Sequence, residues 1–592
     1  MNLNQTGFLT ALLAATLLVA CSTNIPEDKD ASVNAGSLPV PEVETEPASL
    51  PHPQVGKQEN DADDANNLEQ IIVTSEMRAY NAVATAKARA SGMYNSNMNN
   101  TAQPYQERFL PMEPEDRENY QNFDDNPLHL VTEDPVSTFS IDVDTASYAN
   151  VRRILNQGQL PRNDAVRIEE LINYFSYNYP NPDSSDQAFR VHTEMGPSPW
   201  NPSRKLVHIG IRGHDVEKAE LPPANLVFLI DVSGSMNSAN KLELLKPAMK
   251  LLTRQLTSRD KISIAVYAGA AGVVLEPTAG NKTATIMHAI DALNAGGSTN
   301  GGAGIRLAYN LAKQAFIKEG INRVILATDG DFNVGTTNVE SLKNLIEQER
   351  NSGVTLTVLG FGGGNYNDAL MQELAQNGNG NAAYIDNLNE ARKVLVDEMA
   401  STLHTIAKDV KIQVEFNPAV VSEYRLIGYE TRHLNREDFN NDKVDAGDIG
   451  AGHTVTALYE VTLAGDQGQI DPLRYGDKPA KMTIAESREL GFVRLRFKTP
   501  NGDTSELREF PLQTEAIVAQ LSQTSTNYQF SAAVAGFGQL LRGGRYTGDF
   551  NYTDVLDLAL KSKGNDPFGY RGEFVNLVRT AQALGVPVEG DS

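Results

Sequence analysis

Asp231-Val232-Ser233-Gly234-Ser235 sets a carboxylate and two hydroxyls side by side, directly after the apolar run Leu226-Val227-Phe228-Leu229-Ile230. Such short polar side chains add little to a core. On a loop past the C-terminal end of a buried strand they stand where open α/β sheets bind ligands. Carboxylate and hydroxyl oxygens are hard donors, suited to Mg²⁺, Mn²⁺ or Ca²⁺ rather than to zinc or copper. Two later stretches extend the set. Gly296-Gly297-Ser298-Thr299-Asn300 carries hydroxyls on a glycine-rich loop, and Asp329-Gly330-Asp331 follows a second apolar strand, Arg323 to Thr328. The chemistry these types and spacings point to is oxygen coordination of a divalent cation.

The order D-x-S-x-S, then a lone Thr, then T-D-G resembles the metal-ion-dependent adhesion site of the von Willebrand factor type A (VWA) domain family. The resemblance implies that Asp231, Ser233, Ser235, Thr299 and Asp329 surround one cation, Mg²⁺ with Mn²⁺ or Ca²⁺ as alternatives, directly or through water. It also implies a coordination position left for an acidic side chain of a protein partner. Every position of the motif is present, in order, each after the right kind of element.

Those elements are legible around it. Apolar strands at 226–231, 262–267, 323–328 and 354–361 alternate with helical stretches at 241–256, 283–293, 303–319, 338–350 and 388–403. This is the pattern of a doubly wound parallel sheet covered on both faces, an α/β fold; the resemblance implies that it is a VWA domain over 225–404. Pro247 predicts a kink in the first helix. Gly360-Phe361-Gly362-Gly363-Gly364-Asn365 is no dinucleotide fingerprint, since Asn stands in the sixth position, and no Walker lysine follows any glycine-rich loop.

A chain of 592 residues predicts two or three domains. Residues 127–224 read as an N-terminal α/β region: a strand at Val136 to Val143, helical spacing over Tyr148–Leu155 and Val166–Phe175, then extended segments at Phe189–Glu194 and Lys205–Arg212. Asp142-Val143-Asp144-Thr145 has the D-x-D-x-T form of a phosphatase nucleophile loop. No strand–helix alternation follows to carry the other groups that chemistry needs, so the pair reads as a strand-end turn or helix cap. The block resembles the region preceding the VWA domain in a group of bacterial VWA lipoproteins.

Beyond the VWA domain, over 405–592, the period changes to two in Val410–Phe416, Thr454–Thr462 and Phe492–Phe497, predicting an antiparallel β domain. Alanine-rich helices over 515–541, 552–561 and 571–584 are expected to pack on it. Strands 205–212 and 410–416 are expected to pair in one sheet with the VWA domain inserted between them. Asp438 to Asp448 superficially resembles an EF-hand loop, but Lys443 stands where Gly is needed and Ile449 where a bidentate Glu belongs. It reads as a solvated acidic loop.

At the N-terminus, Leu9 to Ala20 is an apolar run too short for a permanent membrane span. It ends Leu18-Val19-Ala20-Cys21, which resembles a bacterial lipobox, although Met1 to Gly7 contains no Lys or Arg. The resemblance implies a signal peptide at 1–20 and a diacylated Cys21; Ser22 after it implies the outer rather than the inner membrane. Cys21 is the only cysteine, which excludes an intrachain disulfide. Residues 22–126 hold 19 Asp/Glu against 7 Lys/Arg, half of the net −24 of the chain. Their polar composition cannot bury enough surface to offset chain entropy, so 21–126 reads as a disordered acidic tether. The overall charge argues against nucleic acid.

The nine histidines are scattered, with no H-E-x-x-H, and no base lies near Ser233 or Ser235 in sequence. The expectation is a non-enzymatic, divalent-metal-dependent protein-binding lipoprotein of the cell envelope, anchored by lipid and facing the periplasm or exterior. Its partner would be an envelope or extracellular protein presenting an acidic side chain. Two other classes stay open: a metal-dependent hydrolase, and a structural envelope protein whose metal only rigidifies the fold.

Overall fold

The computed structural model describes residues 117–184, 187–217, 219–298, 301–330, 339–398, 401, 404–444, 446–471, 488–500 and 502–585. The signal peptide, Cys21, nearly all of the tether, and Thr299 lie outside these residues.

The first flank comprises β1 (His129–Leu130), β2 (Val136–Ser140), α1 (Ala146–Asn156), α2 (Ile168–Asn173), β3 (Phe189–Pro197) and β4 (Lys205–Gly213). The VWA domain follows: β5 (Ala224–Asp231), α3 (Leu242–Thr253), β6 (Lys261–Tyr267), β7 (Ala271–Ala279), α4 (Thr283–Asp291), α5 (Gly301–Gln314), β8 (Ile321–Thr328), α6 (Val339–Asn351), β9 (Thr355–Phe361), α7 (Asp368–Asn377), β10 (Ala382–Ile385) and α8 (Leu388–Arg392). Its sheet runs β10-β9-β8-β5-β6-β7. All neighbours are parallel except β7, which folds back antiparallel on β6 at the edge. Alternation along β5 splits the core between the two faces. Val227 and Leu229 pack with α5, α6 and α7; Leu226, Phe228 and Ile230 pack with α3 and α4. The sheet is therefore wound on both faces, as its apolar strands require. Helix α3 continues unbroken through Pro247. Strands β7 and β10 and helix α7 escaped the sequence reading: β7 is mostly half-buried, with a single buried residue, and β10 is only Ala382–Ile385.

The second flank supplies β11 (Thr405–Phe416), β12 (Val421–Ile427), β13 (Gly447–Gly450), β14 (Thr454–Leu463), β15 (Glu489–Lys498), β16 (Ser505–Gln513) and three helices, α9 (Thr526–Leu541), α10 (Tyr552–Ser562) and α11 (Tyr570–Leu584). One sheet runs β1-β12-β14-β4-β3; the other runs β13-β11-β15-β16, with β2 also paired to β11. The expected pairing of 205–212 with 410–416 is not formed. Residues 205–212 pair with 454–461, and 411–415 with 136–140 and 492–496. The two strands instead face one another across a shared core, Val207, Ile209 and Ile211 on one side and Ile412, Val414 and Phe416 on the other. Period-two patterning marks a buried face, but it does not say whether the partner lies beside the strand or across the core. Both flanks contribute to both sheets, so the VWA domain interrupts one β-sandwich.

The outer face of the first sheet is covered too. Leu206, Ile427 and Leu458 pack with α2, α9, α10 and α11 in a third core that includes Tyr148, Val151 and Leu155 of α1. Helix α1 also sends Ala146 and Ala149 into the VWA core. Small residues on one face and bulky ones on the other let α1 serve as a shared wall between the two bodies.

That seam is charged. Arg152, 1% exposed, donates to Asp386 and Glu390 of the VWA domain, to Glu573 of α11 and to the Tyr174 hydroxyl. Arg167 bridges Glu170 and Asp368, and Arg432 pairs with Asp142 and Asp144. Asp142 and Asp144, read as a turn or cap, are thus docking carboxylates; Asp144 also accepts from the Ala382 N–H at 2.8 Å. The 438–448 loop is tied down by internal cations. Lys411 Nζ donates to the carbonyls of Asp438 (3.0 Å) and Asn441 (2.5 Å), and Lys498 Nζ to that of Asp442 (2.8 Å).

One buried carboxyl in this seam makes stability depend on pH. Burial, then the charges of Glu430 and Glu170, push Glu169 up to about 7 from an ordinary value of 4.5. Its folded-state pKa is raised, so its contribution is complete below about 4.5 and lost as pH rises through about 7. The denaturation midpoint is expected to fall between pH 5 and 8, and Glu169→Gln to flatten part of that slope, by roughly 3 kcal/mol at most. An unchanged slope in the variant contradicts this.

Candidate metal centre

In the VWA sheet the chain leaves β5 for one neighbour, β6, and later returns to the other side of β5 as β8. Loops at such a reversal diverge and leave a crevice at the C-terminal ends of the strands. Asp231 ends β5 and is fully buried. One of its oxygens accepts the Ser233 N–H at 2.8 Å, an Asx-type turn that terminates the strand. The other lies 3.5 Å from the Thr328 hydroxyl on β8. Ser233 then opens a single 3₁₀ turn, Gly234–Met236, pinned from below by the buried Met236. The Ser233 and Ser235 hydroxyls are 2.9 Å apart, the first buried and the second exposed. A carboxylate and two hydroxyls thus converge at the mouth of the crevice.

The glycine-rich loop is laced to this turn. The Gly234 N–H donates to the Gly297 carbonyl at 3.0 Å, and the Gly296 N–H to the Val232 carbonyl at 2.7 Å. Gly297 has φ +95°, a conformation that costs glycine nothing. The lacing holds Ser298 beside the first loop; Thr299, the next residue, falls outside the described residues, and its assignment rests on the motif.

Asp329 follows β8 and is fully buried. Here the structure adds a residue that sequence reasoning missed. Lys241, at the start of α3, sends its ammonium back to Asp329 Oδ2 at 2.8 Å. Its stem lies against Gly362, where a Cβ would come within 2.1 Å of Lys241 Cε. Glycine at 362 is therefore what lets the lysine pass, a different role from any nucleotide fingerprint. The only sequence signal was a basic residue a few positions after Ser235, and spacing alone does not reveal that it folds inward.

The electrostatics follow. Burial raises the Asp231 pKa; the Asp329 charge adds to that, and the two Ser233 hydrogen bonds oppose it. Two formal negative charges counted from sequence become one, because Lys241 offsets Asp329. The donors fit a hard divalent cation on that chemistry: a buried carboxylate with no counter-charge of its own among the described residues, a hydroxyl pair, and a second carboxylate that already draws in an ammonium. Among the described residues no group of three or more His, Cys, Asp or Glu converges, so hydroxyls must complete the shell. Lys241→Met is expected to lower the melting temperature in EDTA and to enlarge the rise given by Mg²⁺, since Asp329 then lacks its resident counter-charge. An equal Mg²⁺ response in wild type and variant contradicts this role.

Comparison with known proteins bears on the same residues. The family profile described as von Willebrand factor type A domain matches residues 225–397, and one described as von Willebrand factor matches 114–208. Residues 401–584 match the profile of the C-terminal region of the uncharacterized protein YfbK. The chain is 49% identical over 471 residues to YfbK of Escherichia coli (strain K12), described as uncharacterized, covering 78% of this chain and 81% of that protein. It is 25% identical over 337 residues to the uncharacterized protein sll0103 of Synechocystis, covering 56% of this chain and 75% of that one. Among solved structures, a von Willebrand factor type A protein from Catenulispora acidiphila aligns with TM-score 0.38 and 17% identity, over 68% of this chain and 91% of that one.

Proposed function

The chain belongs to the YfbK family and carries a VWA domain, and from that membership we propose that it is a membrane-anchored protein that captures an acidic partner through a divalent cation. VWA domains serve protein interaction, and they commonly bind a divalent metal. The observation that carries the finer reading is the convergence of Asp231, Ser233, Ser235 and Asp329 at the crevice between β5 and β8. Asp231, Ser233 and Ser235 would hold Mg²⁺ (or Mn²⁺), with Thr299 by motif, and Asp329 beside Lys241 would balance its charge.

When bound, the cation supplies an electrophilic centre for an incoming carboxylate. The chain's own residues do the rest. Asp231 is fixed by the Ser233 N–H, and the exposed Ser235 hydroxyl faces the approach side. Lys241 offsets one carboxylate, so the site itself repels an acidic partner less than two bare carboxylates would. The net −24 of the chain disfavours acidic partners at long range, but screening at physiological salt confines that to about 8 Å.

We further propose that Cys21 is diacylated and holds the protein, through its acidic tether, at the outer membrane, facing the periplasm or exterior. Two or more acyl chains, at about 0.8 kcal/mol per buried methylene, suffice for stable attachment. Among the described residues no helix is long and apolar enough to cross a membrane. Cys21→Ala is expected to release the protein from membranes or leave an uncleaved precursor. Function is tested by capture from envelope extract, comparing wild type, wild type in EDTA, and Asp231→Ala. Capture lost in both altered conditions supports the reading. Capture indifferent to chelator and substitution overturns it and favours a structural role.

A further inference from the structure

The N-terminal ends of the same strands, at the other end of the sheet, border a second concavity. Between the VWA domain and the β-sandwich lies a cleft of about 320 Å³ lined by Arg323, Arg350, Asn379, Asn381, Thr431 and Asp448 among others. Arg323 lies near the start of β8 and Asp329 just past its end, so at about 3.3 Å per residue the cleft is about 20 Å from the candidate metal centre.

Arg323 is anomalous among the buried arginines. Arg152, Arg167, Arg204, Arg425 and Arg432 each have a carboxylate within ion-pair distance. Arg323 is 4% exposed, yet its hydrogen bond goes to a neutral group, the Thr357 hydroxyl at 3.0 Å. Its Nε is buried with no partner among the described residues, and so is the Thr431 hydroxyl on the same cleft. Burial lowers the guanidinium pKa to about 10, which leaves it cationic at neutral pH; Asp448 acts on it only at longer range. A buried charge with no carboxylate at ion-pair distance among the described residues is costly, and proteins ordinarily supply a partner. Here a guanidinium and a hydroxyl with unmade hydrogen bonds belong to residues that line one polar cavity. A guanidinium presents a planar fork matched to two-oxygen acceptors. Asp142 and Asp448 on the same walls disfavour a highly charged guest, and the asparagine amides offer donors and acceptors to a polar body.

We propose that this cleft binds a small carboxylate- or phosphate-bearing ligand, with Arg323 as the anion anchor and Thr431 as a secondary donor. The site is separate from the metal centre and does not depend on the function proposed for it.

The test uses the full chain with three probes, N-acetylglycine, acetate and inorganic phosphate, each titrated at constant ionic strength against chloride, with neutral N-acetylglycinamide as control. A saturable rise in melting temperature and a saturable calorimetric isotherm are expected for at least one anion and not for chloride or the amide. The anion that saturates first identifies the ligand class. Arg323→Gln is expected to abolish the response without lowering the basal melting temperature, because it removes an unpaired buried charge. Arg323→Lys, which keeps the charge and loses the fork, is expected to weaken binding about tenfold. Asp231→Ala should respond as wild type does. No saturable response to any anion, or a response unchanged in both Arg323 variants, overturns the proposal.

Discussion

Arg152→Met is expected to lower the unfolding free energy by about 3–5 kcal/mol, the range for breaking a buried ion pair by removing one partner. Arg152 is 1% exposed and satisfies Asp386, Glu390, Glu573 and the Tyr174 hydroxyl together. Methionine keeps much of the apolar stem and gives up the guanidinium's ion pairs and its contacts over the Tyr148 and Tyr174 rings, so the loss is chiefly electrostatic. It falls on Glu390, itself 1% exposed, which is left in the seam without its guanidinium. Lysine should not rescue it, since one ammonium cannot reproduce a fork that reaches acceptors on three elements. The denaturant midpoint measures the effect, and a midpoint within error of wild type contradicts it. Replacing Arg152, Asp386 and Glu390 together with apolar residues is expected to recover much of the loss, because no buried charge then lacks its partner.

Asp231→Ala is expected to separate function from stability. In EDTA the variant should melt near wild type. It loses the hydrogen bond to the Ser233 N–H, but it also removes a buried carboxylate that the like charge of Asp329 repels. These effects are each about 1 kcal/mol and opposite in sign. In Mg²⁺ the two proteins should diverge. A ligand at a hundred times its Kd adds about 2.7 kcal/mol to wild type and nothing to a protein that does not bind it. Thr299→Ala should behave alike. A variant that unfolds in EDTA, or that keeps the Mg²⁺ stabilisation, contradicts the assignment.

Much of the VWA domain was legible because its signals are local. A fully buried parallel strand reads as a mainly apolar run, and β5 (Leu226–Ile230), β8 (Val324–Ala327) and β9 have that form. The loop after β5 combines Asp, Ser and Gly at a spacing that few other structures require. What escaped depends on distant partners. Nothing in Lys205–Gly213 says that His208 and Gly210, the apparently polar face, lie buried beneath Tyr179. Arg152 did leave a trace: it sits on the apolar stripe of Tyr148, Val151 and Leu155, where a solvated arginine is out of place. The acidic groups that explain it come from residues 386, 390 and 573, beyond the reach of any local pattern. Lys241 was illegible for the same reason, since its partner Asp329 lies 88 residues further along the chain.

The central claim is that the crevice at Asp231 holds a divalent cation. Electron paramagnetic resonance of Mn²⁺ titrated into the metal-stripped protein tests it most directly, because bound and aqueous Mn²⁺ give different signals whatever the partner is. The account predicts a single saturable site in wild type, displaced by excess Mg²⁺ and absent from a folded Asp231→Ala variant. Wild type that leaves all Mn²⁺ in the aqueous signal, or a variant that binds it equally well, would contradict the account.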